Sequence, residues 1–322
     1  MEIWRVKALL RIRPFVKESD EEAYVRIFNA AFADYDDVRT MTLEEMRKTE
    51  ESPSYSADGL FIAEWNGETA GMVDAYVDKL RKEEKGFIQS LGVLPQFRRK
   101  GIARKLVQKA VESLKTRGMK VADTWVQSDR TACVHLFESF GFKRIRFTSM
   151  MKRSLNEIPV GVGENREARI EELQPKKEDD VALLTKLDNE AFKEHFNYRP
   201  RTVEEMKYAL LEMPWFQQER VFSAFLENQA VGYIITGIDE GLNREKAVKR
   251  GWILDIGVLK PFRRKEIGAM LMLHGMRILK TYGLEEALLY VDNMNPTGAI
   301  KLYEKLGFKV MHNSMIYQLR LA

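Results

Sequence analysis

One long pattern of residues occurs twice in this chain of 322 residues. VLPQFRRKG at 93–101 returns as VLKPFRRKE at 258–266. Each copy is followed by a helical pattern, a strand-like run and a helix that ends in Gly-Phe. The second arginine motif follows the first by 165 positions and the second Gly-Phe follows the first by 166. Because solenoid repeats have periods of about 20–50 residues, a repeat this long indicates a duplicated domain.

The duplication extends upstream of these motifs and sets the expected domain boundaries. The triplet EEM at 44–46 recurs at 204–206. The segment 154–166 contains one proline, two glycines and little periodicity, which is typical of a connecting segment. We therefore expect an N-terminal domain over 1–153, a linker over 154–166 and a C-terminal domain over 167–322, each domain being long enough to bury its own core.

Both repeats have the same predicted order of elements. A strand and two helical stretches precede a hairpin, whose turn is expected at Asn66-Gly67 in the first repeat and at Asn228-Gln229 in the second. A further strand then leads through the basic loop into a helix that should end at Gly118 or Gly283. This order predicts the α/β class, with a mixed, mainly antiparallel sheet flanked by helices in each domain.

Composition limits the classes of protein to which the chain can belong. The sequence contains no run of about 18 apolar residues, so we expect no membrane partner, and the N-terminus has no apolar segment of the secretory type. Cys133 is the only cysteine, which excludes an internal disulfide and favours a cytoplasmic location. The four histidines lack ligand spacing, so we expect no metal.

The loops RRKGIA at 98–103 and RRKEIG at 263–268 are the strongest candidates for ligand binding. Each is expected to join a strand to the start of a helix. The first amide groups of a helix have no backbone partners and lie at the positive end of the helix dipole, so an anion such as a pyrophosphate can bind there. A small residue in the loop lets the anion approach the backbone.

These residues resemble a known family, the GCN5-related N-acetyltransferases (GNAT). VLPQFRRKGIA at 93–103 resembles motif A of the family, and NPTGAIKLYEKLGF at 295–308 resembles motif B. The resemblance covers nearly the whole chain as two copies, as in the mycothiol synthase-like tandem proteins, although no residue ties this chain to their substrate. It implies two tandem acyl-CoA N-acyltransferase domains that use acetyl-CoA as acyl donor.

The resemblance also implies which residues bind CoA. The family loop binds the pyrophosphate through backbone amides, and the pantetheine lies where the fourth strand diverges from the fifth. The matching positions are Leu91, Val93, Arg98, Arg99, Lys100, Gly101, Ile102 and Ala103 in the first repeat and Val258, Arg263, Arg264, Lys265, Ile267, Gly268 and Asn295 in the second.

The two repeats depart from the family pattern in opposite ways. The second has Tyr303, which the resemblance makes the proton donor to the leaving thiolate, and Asp255, the candidate base. It also has Glu266, however, in place of a loop glycine. The first keeps Gly101 but has Phe137, Asp129 and Ser90 at the matching positions. Tyr303 also fits an apolar helical stripe, and Asp255 could simply pair with a cation.

Three functions are compatible with these residues. The first is transfer of an acetyl group from acetyl-CoA to a small-molecule or peptide amine by direct attack. The second is a non-catalytic module in which one half binds CoA and the other docks a partner or ligand. The third, nucleic-acid binding, is disfavoured because the basic loops lack interleaved aromatic residues beyond Phe97 and Phe262. Neither the acceptor nor the oligomeric state is indicated.

Overall fold

The computed structural model describes residues 9–160, 165 and 167–321. Part of the predicted linker 154–166 therefore lies outside the described residues. The chain forms two compact units. Unit 1 comprises the chain up to Ile145 together with the segment from Met315 onward, and unit 2 is Arg146–Ser314.

Unit 1 is built on a mixed sheet in the order β1-β2-β3-β4-β5-β12. The first four strands are antiparallel neighbours, and β5 is parallel to β4. Its elements are β1 (Leu10–Pro14), α1 (Glu21–Phe32), α2 (Leu43–Glu50), β2 (Leu60–Trp65), β3 (Glu68–Tyr76), β4 (Lys85–Val93), α3 (Ile102–Thr116), β5 (Val121–Gln127), α4 (Thr131–Ser139) and the C-terminal part of β12 (Lys309–Arg320).

Unit 2 repeats this plan in the order β6-β11-β10-β9-β8-β7. Here β11 is parallel to β10, and the other neighbours with a recorded register are antiparallel. Its elements are most of β6 (Lys143–Ser154), β7 (Ala168–Leu173), α5 (Glu178–Phe192), α6 (Val203–Leu211), β8 (Gln217–Leu226), β9 (Gln229–Ile238), α7 (Glu240–Lys246), β10 (Arg250–Val258), α8 (Ile267–Thr281), β11 (Glu286–Asp292) and α9 (Ala299–Lys305).

Local sequence signals explain most of these elements. Thr42 and Thr202 each cap a helix through a reciprocal box with the glutamate three residues later, which satisfies two free amide groups at each helix start. Asn66 and Gly67 both have positive φ (52° and 88°), as a type I′ hairpin turn requires. The predicted turn at Asn228-Gln229 is wrong by one residue, because Leu226 pairs with Gln229 and the turn is formed by 227–228.

Parts of two strands, β6 and β12, belong to a different unit from the one that the predicted domain boundaries assigned to them. Within unit 2, β6 pairs with β11 from Thr148↔Asp292 to Ser154↔Glu286. Within unit 1, the end of the chain lies along β5, where Gln318 Nε2 donates to a carboxylate oxygen of Asp123 at 2.8 Å. Residues 146–153 and 315–321 therefore belong to the units opposite to those that the repeat boundaries predicted. Sequence repeats show which segments are strands, but they do not show which neighbour completes a sheet.

In unit 2 the sheet has apolar side chains on both faces. α8 packs on one face through Leu271, Met272 and Met276, all of which are fully buried. α5 and α6 cover the other face through Leu184, Leu187 and Met206. No helix within the described part of the chain is long and apolar enough to span a bilayer.

Candidate active site

The candidate site in unit 2 is a gap between β10 and β11. The parallel register of these strands covers only their first three pairs, from Arg250↔Glu286 to Trp252↔Leu288. Beyond this point the two strands diverge and a cavity of about 580 Å³ opens between them, a size that suits an organic ligand. Residues 253–258 of β10 line the cavity, so the edge of this strand that no longer pairs with β11 faces the gap.

The start of α8 forms one end of the cavity. Glu266 is the N-cap residue of α8 and provides no side-chain cap, so the first amide groups of the helix remain free for a ligand. Arg264, Glu266 and Gly268 line the cavity, whereas Lys265 and Ile267 do not. Ile267 is buried in the core, and the Lys265 ammonium lies over the Phe262 ring.

Arg263 holds this loop in place. Its guanidinium donates to the carbonyl oxygens of Val258 and Ala191, both at 3.0 Å. It also donates to Glu194 at 3.2 Å, and Glu194 accepts from Lys260 at 2.6 Å. Glu194 therefore offsets part of the positive charge of the loop. Arg263 and Arg264 both line the cavity, and Arg264 is the exposed one of the two.

Glu266 adopts the backbone conformation that favours glycine. Its φ is +61°, and the matching Gly101 of unit 1 has φ +79°. The loop shape is therefore retained in unit 2 although the glycine is absent. A non-glycine residue in this left-handed region costs about 1–2 kcal/mol. The replacement of glycine by Glu266 adds both this strain and a negative charge at the end of the cavity where α8 begins.

Asp255 lines the cavity at the middle of the diverging strand, with 18% of its side chain exposed. Burial and the nearby Asp188 carboxylate both raise the pKa of Asp255 above its usual range, and the Arg201 guanidinium at 4.0 Å opposes this shift. Asp188 itself accepts a hydrogen bond from the Tyr233 hydroxyl at 2.7 Å. Asp255 is therefore a carboxyl group whose surroundings favour proton uptake.

Tyr303 lines the same cavity from α9 and is only 6% exposed. Burial raises its pKa, and the negative charge of Asp255 raises it further, so the hydroxyl keeps its proton at neutral pH. One side of the ring packs near Phe308, with centroids 6.1 Å apart. Tyr303 is thus part of the core and also faces the cavity. Its place in an apolar helical stripe is therefore compatible with a role at the site.

Asn295 has a local structural role as well as lining the cavity. Its side-chain oxygen accepts from the amide and the hydroxyl of Thr297 at 2.9 and 2.8 Å, which fixes the turn before α9. Gly298, with φ +71°, is the N-cap residue of α9. The guanidinium of Arg264 donates to the Thr297 carbonyl at 3.4 Å, so the basic loop before α8 and the turn before α9 are in direct contact.

Unit 1 has the same divergence of strands without the same side chains. The parallel register of β4 and β5 also covers only three pairs, and Arg98 donates to the carbonyl oxygen of Val93 at 3.1 Å, as Arg263 does to Val258. Arg99, Lys100 and Gly101 are exposed, Leu91, Val93 and Ala103 are half-buried, and Ile102 is buried. Phe137, the counterpart of Tyr303, is 3% exposed and packs on Phe142.

The sequence analysis did not identify Asp188, Arg201 and Tyr233, which the fold places around Asp255. They lie on α5, before α6 and on β9, so no local motif contains them. A comparison of the two repeats could have found them, because Phe28, Met41 and Met72 stand at the matching positions of unit 1. No group of three or more histidine, cysteine or acidic residues suited to a metal ion occurs among the described residues.

Comparison with known proteins identifies the family of the chain. Two regions of the chain, residues 22–142 and 184–308, match the acetyltransferase (GNAT) family. The chain belongs to this family. A mycothiol acetyltransferase from Saccharomonospora viridis is 26% identical over 303 residues, which cover 88% of this chain and 94% of that protein. The mycothiol acetyltransferase from Thermobispora bispora is 30% identical over 150 residues, and the match spans half of its length.

Solved GNAT structures share the fold over the whole chain. A tandem GNAT protein from the clavulanic acid biosynthesis pathway superposes with a TM-score of 0.74 at 14% identity, covering 98% of this chain and 99% of that one. A GNAT protein from Sphaerobacter thermophilus gives a TM-score of 0.68 at 20% identity, covering 97% and 96%. The tandem GNAT architecture predicted from the sequence is therefore confirmed, and acetyl transfer is the activity of the family.

Proposed function

We propose that unit 2 transfers an acetyl group from acetyl-CoA to an amine by direct attack. The observation that carries this proposal is the placement of Asp255 and Tyr303 on one cavity, in the gap between the diverging strands β10 and β11. A carboxyl group with a raised pKa suits a base that must accept a proton near neutral pH, and a protonated phenol suits a donor.

Residues of the loop and of β10 fit the parts of acetyl-CoA. The free amide groups at the start of α8, with Arg264 beside them, suit the pyrophosphate. Residues 253–258 of β10 pair with β9 along one edge only, because the register with β11 ends at Trp252. The other edge offers backbone donors and acceptors to the gap, which suit the amide groups of pantetheine. Glu266 weakens the charge complementarity at the pyrophosphate end.

The reaction balances with these groups. The acceptor binds as an ammonium ion and gives one proton to Asp255, since only the neutral amine is a nucleophile. The amine nitrogen then bonds to the acetyl carbon, and the carbon–sulfur bond breaks. Tyr303 gives its proton to the departing thiolate and recovers one from the new amide nitrogen through solvent. The products are the acetylated amine, free CoA and one released proton.

Loss of the Tyr303 hydroxyl tests this assignment. Tyr303→Phe should lower turnover roughly ten- to a thousand-fold with nearly unchanged CoA affinity, as expected for the loss of a general acid. The assay measures thiol release from acetyl-CoA in the presence of a panel of amino acids, amino sugars, polyamines and peptides. Tyr24→Phe is the matched control, because it removes a buried phenol hydroxyl, bonded to Ser90 at 3.1 Å, from unit 1. Wild-type turnover in Tyr303→Phe would remove Tyr303 from the mechanism.

A second role is favoured for unit 1, namely binding of CoA without chemistry. Unit 1 keeps the loop glycine at the start of α3, but Phe137 cannot donate a proton. Gly101→Glu should weaken CoA binding to this unit, measured as loss of amide protection at the start of α3 on titration with CoA. Unchanged protection would contradict the assignment of the loop. If thiol release is absent with every amine while CoA still binds, the non-catalytic alternative applies to both units.

A further inference from the structure

Asp255 and three polar residues around it have counterparts in unit 1 that are mostly apolar. Asp188, Arg201, Tyr233 and Asp255 correspond to Phe28, Met41, Met72 and Ser90. The sheet register supports these matches, because Tyr233 pairs with Gly257 as Met72 pairs with Gly92. Since both copies fold into the same plan, the scaffold does not require this polar cluster.

The Asp188 carboxylate is held deep in unit 2. Asp188 is 5% exposed and Tyr233 is fully buried, and the hydrogen bond of 2.7 Å joins α5 to β9. A buried carboxylate is costly unless it is paired or hydrogen-bonded. The Tyr233 hydroxyl supplies one partner, and Arg201 lies 3.8 Å from the other carboxylate oxygen.

The backbone around Arg201 is fixed from two sides. The Asn189 side chain accepts from the Arg201 amide at 2.8 Å and donates to its carbonyl at 3.0 Å. The next residue, Thr202, caps α6. Asn29 makes the same paired contacts with Met41 in unit 1, at 2.7 and 2.9 Å. The backbone of Met41 in unit 1 and that of Arg201 in unit 2 are therefore held in the same way, and only unit 2 has a cationic side chain at this position.

The distances describe one guanidinium between two carboxylates. Arg201 lies 3.8 Å from Asp188 and 4.0 Å from Asp255, which is longer than a direct hydrogen-bonded ion pair. The charged and titratable groups that act on Asp255 come from α5 (Asp188), the segment before α6 (Arg201) and β9 (Tyr233), and Tyr303 of α9 also faces it. Two negative charges therefore face one partly exposed positive charge.

We propose that Asp188, Tyr233 and Arg201 are positioning residues that set the protonation of Asp255, the candidate base of unit 2. Asp188 repels the ionised form of Asp255 and so favours proton uptake. Arg201 opposes this and keeps the carboxyl group able to release the proton. Tyr233 holds Asp188 in place by donating its hydroxyl hydrogen to it, and the nearby Tyr233 hydroxyl also lowers the pKa of Asp255. This inference rests on the proposed function of unit 2 and adds three residues outside both family motifs.

The test is the pH dependence of kcat/KM in the full chain. Asp188→Asn should move the acidic limb of the profile to lower pH, and Arg201→Met, which installs the unit 1 residue, should move it to higher pH, each by about one pH unit. Tyr233→Phe should lower kcat and move the limb to higher pH. A merely structural role would lower activity at all pH values without opposite shifts.

Matched controls separate these effects from general loss of charge or packing. Asp180→Asn removes another carboxylate from α5, one that accepts from the Gln174 amide at 2.8 Å and lies about two helical turns before Asp188. Tyr24→Phe removes a buried hydroxyl from unit 1. Both controls should leave the midpoint of the acidic limb unchanged.

A direct titration keeps the inference independent of turnover. The carboxyl carbon signals of ¹³C-labelled aspartate are followed with pH by NMR, and Asp255→Asn identifies the signal of Asp255. Opposite shifts of its midpoint in Asp188→Asn and Arg201→Met would support the proposal even if no amine is acetylated, a result that would count against the proposed function alone. An unchanged Asp255 midpoint in both folded variants would overturn the proposal.

Discussion

Glu266 provides the sharpest quantitative test of the site, because its backbone and its charge make separate contributions. It has φ +61° at the start of α8. Relief of left-handed strain by Glu266→Gly should stabilise unit 2 by about 1–2 kcal/mol, and the greater freedom of glycine in the unfolded chain should remove about 0.5–1 kcal/mol of this gain. The expected net stabilisation is about 0.5–1 kcal/mol.

The same substitution should tighten CoA binding to unit 2. Glu266 lines the cavity at the end where the pyrophosphate is expected. For an exposed side chain in water, the repulsion of one carboxylate and one phosphate charge at contact distance is about 1 kcal/mol, or roughly five-fold in Kd. Because exposed charges are screened, this part of the gain should shrink as salt is raised.

Glu266→Gln separates the two contributions. It removes the charge but keeps the left-handed backbone, so it should recover the salt-dependent gain in affinity without the gain in stability. Gly101→Glu in unit 1 is the reverse substitution and serves as the control. No atom lies within 4 Å of a Cβ added at Gly101, so the loss of stability should come from backbone strain at its φ of +79° and not from a steric clash. Gly101→Glu should destabilise unit 1 by about 0.5–1 kcal/mol.

Both quantities are measured in the full chain by hydrogen exchange. Exchange of the α8 amides reports the stability of unit 2, and protection of the amides at 263–270 on titration with CoA reports its affinity. A fragment limited to the second repeat, residues 165–322, is unsuitable for these measurements, because it would lack β6, the partner of β11. An unchanged CoA affinity in Glu266→Gly would mean that the carboxylate does not face the ligand, and an unchanged stability of unit 2 would mean that the left-handed backbone at this position is not strained.

Three further outcomes follow from the structure. Asp255 must be ionised to accept a proton, so kcat/KM of the wild type should rise with pH through a midpoint above the usual carboxyl pKa of about 4. Asp255→Asn should lower kcat/KM roughly 10²–10⁴-fold and abolish this rise with pH. A pH-independent kcat/KM in the wild type would contradict the role of Asp255. Because the folded-state pKa of Asp255 is raised, its ionisation costs stability as pH rises above the unfolded-state value, and Asp255→Asn should therefore unfold at higher temperature than the wild type at pH 8, as calorimetry can measure. Deletion of residues 315–322 should increase exchange in β5 of unit 1, where Gln318 and Leu321 are bonded, and equal exchange with and without this segment would argue against its place in that unit.

Much of the fold could be predicted because its signals are local. The capping boxes at Thr42 and Thr202 start the second of the two predicted helical stretches in each repeat. Gly118 and Gly283 have the positive φ expected just after α3 and α8. The short helix α7 (Glu240–Lys246) was not predicted, since it has no counterpart in the first repeat. The turn of the second hairpin was misplaced because its side chains carry a weak turn signal, and the pairing of β8 with β9 decided the register.

The sequence by itself determined that the chain is a tandem duplication, that each copy places a basic loop between a strand and a helix, and that only the second copy carries Asp255 and Tyr303. These are properties of the order of residues along the chain. The tertiary structure decided which strand completes each sheet, and it brought Asp188, Arg201 and Tyr233 to Asp255 from three separate elements. Such long-range contacts depend on how strands pair and helices pack, and no short segment of sequence encodes them.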